Sequence, residues 1–325
     1  MPEISVITPI YKVEAFIERC ARSLLEQSFD DVEFIFVDDS TPDSSIETLT
    51  KVIAEYPDRK VLILHHEHNK GLPAARNTGM KAASGKYIYH CDSDDWVEID
   101  LLQKMHDTAV AHDADLVYCD FWLSFEKSER YMRNPQYDTI DDVVRKGYLQ
   151  GAMKFNVWNK LVRRTIYTEN GISFPEGHAM GEDMTMIRLG TLCQTVANVP
   201  EALYHYVKLN TAAYSNTQSE KSLADTLFNV ALTADFLMSK DAGTYAKYVG
   251  FFKLNTKLPF LLTGRKEDYH RWHEWYPEAN ELALSNHVLP MRTRLLQWMA
   301  AKRSWIGVKA YYLLIYKFVY GIIYR

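Results

Sequence analysis

The chain has 325 residues, of which 47% are hydrophobic and 24% are charged, with a formal net charge of −5. This composition excludes a mainly disordered chain, because such chains combine low hydrophobicity with high net charge. A chain of this length can bury one large core and still carry a smaller appended region.

The cysteines and the start of the chain indicate the cellular compartment. The four cysteines are far apart in apolar segments and form no CxxC pair, which favours reduced core thiols over disulfides. The chain begins Met1-Pro2-Glu3-Ile4 and runs directly into an apolar segment, without the basic and apolar regions of a secretory signal. We therefore expect a cytoplasmic protein.

The first 120 residues alternate short apolar runs with helical patterns, which is typical of βαβ units with a parallel sheet. Helices are predicted at 16–25 and 46–56, where apolar residues recur every three or four positions. The predicted strands are 4–8, 32–38, 60–65, 87–91 and 115–122. From about residue 219 onward the pattern is mostly helical.

Acidic residues follow two of the predicted strands. Asp38 and Asp39 end the second strand, and Asp92, Asp94 and Asp95 follow the fourth. In open α/β sheets the carboxyl edge is where ligands bind. Clustered carboxylates repel one another, and a hard divalent cation such as Mg²⁺ or Mn²⁺ would compensate them. Solvated turn aspartates that cap the next helix are the alternative.

Several ordered motifs together resemble the inverting glycosyltransferases of family 2, over roughly residues 1 to 210. The motifs are SVITPIY (5–11), VDDS (37–40), NKG (69–71) with ARNTG (75–79), DSDD (92–95) and GED (181–183). The resemblance implies a GT-A fold, an α/β architecture with a mostly parallel sheet flanked by helices and a Rossmann-like nucleotide-binding half. Lys12 is a departure, because the family often has Asn after the tyrosine.

The resemblance also implies residue roles on the donor side. Arg76 could contact the diphosphate, and a surface or ion-pair role is the alternative. Asp94, with Asp95 assisting, would hold Mn²⁺ or Mg²⁺. The residues implied in nucleotide-sugar binding are Thr8, Pro9, Tyr11, Asp39, Arg76, Asp92, Ser93, Trp158 and Lys160. For Trp158 a core position, and for Lys160 a solvated one, remain alternatives.

The GED motif resembles the segment that supplies the general base, which implies this role for Asp183. In a single displacement a carboxylate must remove the proton of the acceptor hydroxyl as its oxygen attacks the anomeric carbon. Inversion follows if no covalent intermediate forms. The alternative is that Glu182 and Asp183 only complement the dipole of a helix N-terminus.

The domain prediction follows from the resemblance and the change of pattern. Residues 1–215 form the catalytic domain, with a nucleotide-sugar-binding half at 1–120 and an acceptor-side half at 121–215. Residues 216–290 form a helical region, and residues 291–325 form basic, aromatic helices.

The last 35 residues, 291–325, contain seven basic residues and no acidic one, with interleaved Trp, Tyr and Phe. This pattern favours an anionic membrane surface over nucleic acid, which we do not expect as a partner. The segment would hold the protein on the inner face of the cytoplasmic membrane. Packing on the domain itself or on a second subunit, as in a homo-oligomer, is the alternative.

The predicted function is transfer of a sugar from a nucleotide diphosphate sugar, expected to be a UDP-sugar, to a saccharide or lipid-linked saccharide acceptor in surface polysaccharide biosynthesis. A sugar-phosphate nucleotidyltransferase and a membrane-associated scaffold that binds nucleotide sugars without turnover are the alternatives. The sequence has no GxxxxGK loop and no GxGxxG turn after the first strand, which argues against an NTPase and a dinucleotide-dependent dehydrogenase.

Overall fold

The computed structural model describes residues 1–209 and 219–323. The first of its two units consists of Met1–Asp141 with Phe155–Thr233, and the second of Asp142–Lys154 with Ala234–Arg325. The predicted boundary between residues 215 and 216 lies outside the described residues, as do the last two residues of the basic C-terminal segment.

The first unit contains one sheet of nine strands. The strands are β1 (Ile4–Ile10), β2 (Val32–Asp38), β3 (Lys60–His65), β4 (Tyr87–His90), β5 (Trp96–Val97), β6 (Leu116–Ser124), β7 (Glu129–Met132), β8 (Lys160–Arg163) and β9 (Val196–Val207). Their order is β3-β2-β1-β4-β8-β6-β9-β5, with β7 paired to β6. The five predicted strands are confirmed, with ends that differ by at most two residues.

The sheet is mixed. β1 is parallel to β2 and β4, and β2 is parallel to β3. β8 lies between β4 and β6 and is antiparallel to both. The predicted α/β class, a large sheet flanked by helices, is confirmed. The carboxyl ends of β1, β2 and β4 meet at one edge because these three strands run in the same direction.

The helices of the first unit cover this sheet. In the first of them every fully buried residue falls on one face, which is the spacing that a helix packed on a sheet requires. These helices are α1 (Ile17–Leu25), α2 (Ser45–Ile53), α3 (Leu72–Ala82), α4 (Leu101–Ala111), α6 (Arg164–Thr168) and α7 (Thr185–Gly190). The short α5 (Ile140–Asp142) ends at the first residue of the second unit.

From residue 220 onward the described chain is mostly helical, as predicted. The helices are α8 (Glu220–Lys257), α9 (Lys266–Glu274), α10 (Met291–Ala301) and α11 (Trp305–Tyr311). A kink interrupts α8 at Asp241, whose φ of −163° and ψ of 92° are not helical. Among the described residues, no helix combines the length and apolarity that crossing a membrane requires.

All four cysteines are free and buried. Burial raises the pKa of the Cys119 thiol to about 12. A hydrogen bond with Cys20, together with burial, raises the pKa of Cys91 well above its ordinary value.

A buried carboxylate on β2 fixes the turn between α3 and β4. Glu33 accepts hydrogen bonds from the Ser5 hydroxyl, the Ser84 backbone N–H and Lys60 Nζ, each at 2.7 Å. Burial opposes its ionisation, but these donors outweigh burial and lower the pKa of Glu33 to about 2. The turn is thereby tied to β1 and β2 at the edge opposite the acidic loops.

Replacing this carboxylate should lower stability in a pH-dependent way. Glu33→Gln should reduce the free energy of unfolding by about 1–3 kcal/mol at pH 7, because buried donors lose a charged acceptor. The folded-state pKa lies below the ordinary value, so this stabilisation is present above about pH 4.5 and is lost as the pH falls towards 2. Urea unfolding of both proteins at several pH values measures the difference.

Glu47→Gln is the matched control, because Glu47 is exposed and its ion pair with Lys51 spans only one helical turn. A difference between Glu33→Gln and the wild type that stayed constant from pH 7 to pH 3 would contradict the assignment.

Candidate active site

The loops after β1 and β2 are held against each other in strained conformations. Lys12 and Ser40 have φ of 54° and 56°, which is uncommon for residues other than glycine and tends to occur at functional sites. The Lys12 N–H donates to Thr41 Oγ1 at 2.8 Å and so joins the two loops. Thr8 and Pro9 are buried in β1, whereas Tyr11 is 40% exposed.

Asp39 organises the loop that leads into α3. Its Oδ1 accepts from the Lys70 N–H at 2.8 Å and contacts His66 Nδ1 at 2.7 Å, and its Oδ2 accepts from the Gly71 N–H at 2.8 Å. Gly71 has φ of 88°, a conformation that a side chain would disfavour. Asp39, predicted to contact the nucleotide, is therefore already fixed by backbone donors. His66, which holds it, was not among the predicted site residues.

The DSDD turn after β4 is tied to β9. Asp95 is almost fully buried, and its oxygens accept from the Tyr204 hydroxyl at 2.6 Å and the Val207 N–H at 2.7 Å. Burial raises the pKa of Asp95 well above its ordinary value. The Tyr204 hydroxyl also accepts from the Asp92 N–H at 3.2 Å. Ser93 is buried, and Asp94 is half-buried.

Arg76 on α3 brings the predicted donor and base residues together. Its side chain is 1% exposed, and its Nη2 lies 3.0 Å from Asp92 Oδ1. Its Nη1 lies 3.0 Å from Asp183 Oδ1 and 3.6 Å from Glu182 Oε1. Burial opposes its charge, but the three carboxylates outweigh burial and raise the pKa of Arg76. Arg76 thus joins the turn after β4 to the GED segment.

The surroundings of Asp183 raise the pKa of its carboxyl group into the neutral range. Burial raises its pKa to about 7, and Glu182 and Asp92 act in the same direction. Arg76 and Lys160 oppose this rise because they stabilise the ionised form. Burial likewise raises the pKa of Glu182.

Lys160 and Trp158 lie beneath the site. Lys160 is fully buried, and its Nζ donates to the Asn156 carbonyl at 2.6 Å and to Asn159 Oδ1 at 2.8 Å. Burial lowers the pKa of Lys160 to about 7. Trp158 belongs to the hydrophobic core and stacks on Tyr204, with ring centroids 4.3 Å apart.

The structure thus brings three of the predicted residues, Asp92, Arg76 and Asp183, into direct contact. Within residues 1–209 and 219–323, no group of three or more His, Cys, Asp or Glu side chains has the arrangement of a protein-only metal site. Tyr204 was missed by sequence reasoning, although it lies in the aromatic run 204–206. Its importance depends on Asp95, which is 109 positions away.

Comparisons with known proteins identify the family of the chain. Residues 5–181 match the model of the family described as Glycosyl transferase family 2. EpsH of Bacillus subtilis (strain 168) is 33% identical over 214 residues, which are 63% of this chain and 60% of EpsH. The chain therefore spans about three fifths of the length of that relative.

Solved structures of two proteins have a fold similar to that of this chain. S. aureus TarS 1–349 has a TM-score of 0.70 at 19% identity, over 96% of this chain and 91% of that chain, and the same fragment in complex with UDP-GlcNAc has a TM-score of 0.67. The mannosyltransferase PcManGT from Pyrobaculum calidifontis, in complex with GDP-Man and Mn²⁺, has a TM-score of 0.52 at 14% identity, over 96% and 87%. These likenesses show the fold alone.

The family match covers more than half of the chain, and the acidic strand ends and the GED segment fall within it or at its boundary. The chain belongs to glycosyl transferase family 2, and the expected GT-A type of fold is confirmed.

The Tyr204 hydroxyl should be important for the stability of the acidic turn. Tyr204→Phe should lower the free energy of unfolding by about 1–3 kcal/mol, because Asp95 Oδ2 and the Asp92 N–H both lose the hydroxyl as a hydrogen-bond partner. Chemical denaturation measures this loss. Tyr89→Phe is the matched control, since the buried Tyr89 hydroxyl finds no hydrogen-bond partner among the described residues. Equal losses in the two variants would contradict the assigned role.

Proposed function

We propose that this protein is an inverting glycosyltransferase that moves a sugar from a nucleotide diphosphate sugar, most simply a UDP-sugar, to a saccharide or lipid-linked saccharide in surface polysaccharide biosynthesis. The observation that carries the proposal is the joining of Asp92 and Asp183 by Arg76 at the carboxyl edge of the sheet. Family membership and the similar fold of TarS, which has been solved with UDP-GlcNAc, support the donor class.

The proposed chemistry is a single displacement with Asp183 as the general base. The acceptor oxygen attacks the anomeric carbon, its proton passes to the Asp183 carboxylate, and the bond from that carbon to the diphosphate oxygen breaks. A base with a pKa of about 7 is suited to this step at neutral pH, because it is both partly ionised and basic enough to take the proton. Inversion follows because attack and departure occur on opposite faces.

The proposed donor site lies on the loops at the carboxyl edge. We assign the nucleotide to Thr8, Pro9, Tyr11 and Asp39, and the ribose and sugar to Asp92 and Ser93. The strained backbone at Lys12 and Ser40 supports this assignment, because such strain tends to occur at functional sites and both residues lie in the loops that would enclose the base. Trp158 and Lys160, both buried, would support the site from below.

The acidic turn suits a metal that the substrate helps to bind. Mg²⁺ and Mn²⁺ are usually held by one or two carboxylates and completed by substrate phosphates, which fits a turn without a protein-only metal cluster in the described chain. Asp94 would hold the ion, with Asp95 fixing the turn and assisting. When bound, the ion would offset the negative charge that develops on the departing diphosphate.

The central test separates donor binding from chemistry. UDP with Mn²⁺ should raise the thermal unfolding midpoint of the wild type more than GDP or dTDP, and EDTA should reduce the effect. Asp183→Asn should keep this shift and lose about 10²–10⁴-fold in turnover, because the amide cannot take a proton. Turnover is measured as UDP released from UDP-glucose, UDP-galactose and UDP-GlcNAc.

Two outcomes would contradict the proposal. If no nucleotide shifted the unfolding midpoint, the proposed donor site would be wrong. If Asp183→Asn kept wild-type turnover, the assignment of Asp183 as the general base would be wrong. Asp107→Asn is the matched control for the substitution, because Asp107 is an exposed residue of α4.

We also assign residues 1–215 to catalysis, residues 216–290 to a helical region, and residues 291–325 to an anionic membrane surface on the cytoplasmic side. Several apolar side chains of the basic segment are exposed, and Ile306 is 88% exposed. Basic side chains of the same segment are exposed as well. The exposed apolar residues are Met291, Leu295, Trp298, Ile306, Leu313, Leu314 and Tyr316. The exposed basic residues are Arg292, Lys302, Arg303, Lys309 and Lys317. This combination matches an interface of anionic headgroups and acyl chains.

Vesicle binding tests this partner. The wild type should co-sediment with vesicles that contain phosphatidylglycerol more than with pure phosphatidylcholine, and salt should weaken the binding. The double variant Ile306→Asp with Leu314→Asp should bind the vesicles at least about tenfold more weakly than the wild type, because two apolar contacts are lost. Ile99→Asp, at an exposed position of the first unit, is the control. Unchanged binding of the double variant would contradict the assignment.

A further inference from the structure

Arg76 is buried too deeply, and is too fully engaged by carboxylates, to be explained as a surface residue of α3. Its two terminal nitrogens contact different carboxylates at the same distance, 3.0 Å, one on Asp92 and one on Asp183. A guanidinium can do this because its donors diverge from one rigid plane, whereas an ammonium cannot span two such positions with fixed geometry.

The residue next to Arg76 holds the same segment further upstream. Asn77 donates from Nδ2 to the Phe174 carbonyl and to Glu176 Oε1, each at 2.9 Å, and its Oδ1 accepts from the Phe174 N–H at 2.9 Å. Two consecutive residues of α3 therefore hold the segment that ends in Asp183 at both of its ends. The Arg76 guanidinium also lies over the Phe174 ring, 5.4 Å from its centroid.

The segment between these two anchors needs such support. Met180 has φ of 48° and Gly181 has φ of 111°, so the chain turns through the left-handed region immediately before the GED motif. In the first unit, Asn229 on α8 donates to the Ala179 carbonyl at 3.1 Å, from the other side of the turn. The position of Asp183 is thus set by contacts from other elements.

We propose that Arg76 is a positioning residue that fixes Asp183 against Asp92, so that the general base and the donor-side carboxylate are held in one geometry. This inference rests on the proposed role of Asp183 as the base. It replaces the diphosphate contact expected for Arg76 from the sequence. Arg76 engages Asp183 through Oδ1, which leaves Oδ2 to receive the proton of the acceptor hydroxyl.

The charges around Asp183 predict how its ionisation responds to each substitution. Arg76 and Lys160 favour its ionised form, and Asp92 and Glu182 disfavour it. Tyr167 on α6 is buried within reach of the same charges. The groups that face Asp183 are Arg76 from α3, Asp92 from the turn after β4, Lys160 from β8, Tyr167 from α6 and its own neighbour Glu182.

The test is the pH dependence of UDP release, using a UDP-sugar that the wild-type protein turns over. Activity needs ionised Asp183, so it falls as the pH drops through the pKa of this residue. We call this fall in activity the acidic limb of the pH profile. Arg76→Gln removes a charge that stabilises ionised Asp183 and should move the limb up by about one pH unit or more. Asp92→Asn removes a repelling charge and should move the limb down. Arg76→Lys keeps the charge but not the two contacts, and should lower kcat while moving the limb less than Arg76→Gln.

Opposite displacement of the limb in Arg76→Gln and Asp92→Asn is a result that general loss of structure would not produce. Arg188→Gln is the matched control, because Arg188 is a buried arginine of α7 whose Nη2 donates to the Ser173 carbonyl and the Thr185 hydroxyl rather than to carboxylates. It should lower the unfolding midpoint and leave the limb in place. The midpoint shift on adding UDP with Mn²⁺ should survive in Arg76→Lys and Arg76→Gln.

If the limb did not move in Arg76→Gln and the UDP-dependent midpoint shift was lost, the inference would be overturned. Arg76 would then be a residue that binds the diphosphate. Failure of the proposed function gives a different result, in which Asp183→Asn retains wild-type turnover. If Arg76→Gln does not fold, the limb of Asp92→Asn and the kcat of Arg76→Lys decide the matter. A limb that stays in place in Asp92→Asn, or wild-type kcat in Arg76→Lys, would overturn the inference.

Discussion

The site depends on a guanidinium buried among carboxylates. An arginine with 1% exposure is costly unless its charge is paired, and Asp92 and Asp183 compensate it at 3.0 Å. The dependence is mutual, because these carboxylates would repel each other without a cation between them. Removing one partner of such a pair leaves an uncompensated buried charge, at a cost of about 3–5 kcal/mol. The acidic turn, α3 and the GED segment are therefore stable as an assembled group.

The sheet makes this assembly feasible before any ligand binds. β1, β2 and β4 are parallel, so the loops that follow them lie at one edge of the sheet. Each acidic loop is then held by its own hydrogen bonds. Asp39 is fixed by the N–H groups of residues 70 and 71, and Asp95 by Tyr204 and Val207 of β9. Side chains held in this way need little reorganisation during a reaction, which is an advantage for electrostatic stabilisation of charge.

The sequence alone predicts what depends on local pattern. β1 and β2 are buried on both faces, so they form unbroken apolar runs that are easily recognised. β8 was missed because its buried Lys160 and its terminal arginine give it the pattern of a surface segment. The long-range partners were also missed. For Arg76 the sequence left a diphosphate contact and an ion pair as alternatives, and only the fold shows that Asp183, 107 positions away, is a partner.

The four buried cysteines add a property that is unrelated to catalysis. Burial raises the pKa of Cys119 to about 12, and a hydrogen bond with Cys20 together with burial raises that of Cys91, so little reactive thiolate forms in the native state. A maleimide reagent can reach the buried sulfurs of Cys91 and Cys119 only when the structure around them opens. The labelling rate of Cys91, immediately before the acidic turn, therefore reports how often that part of the sheet opens in solution, without any added probe group.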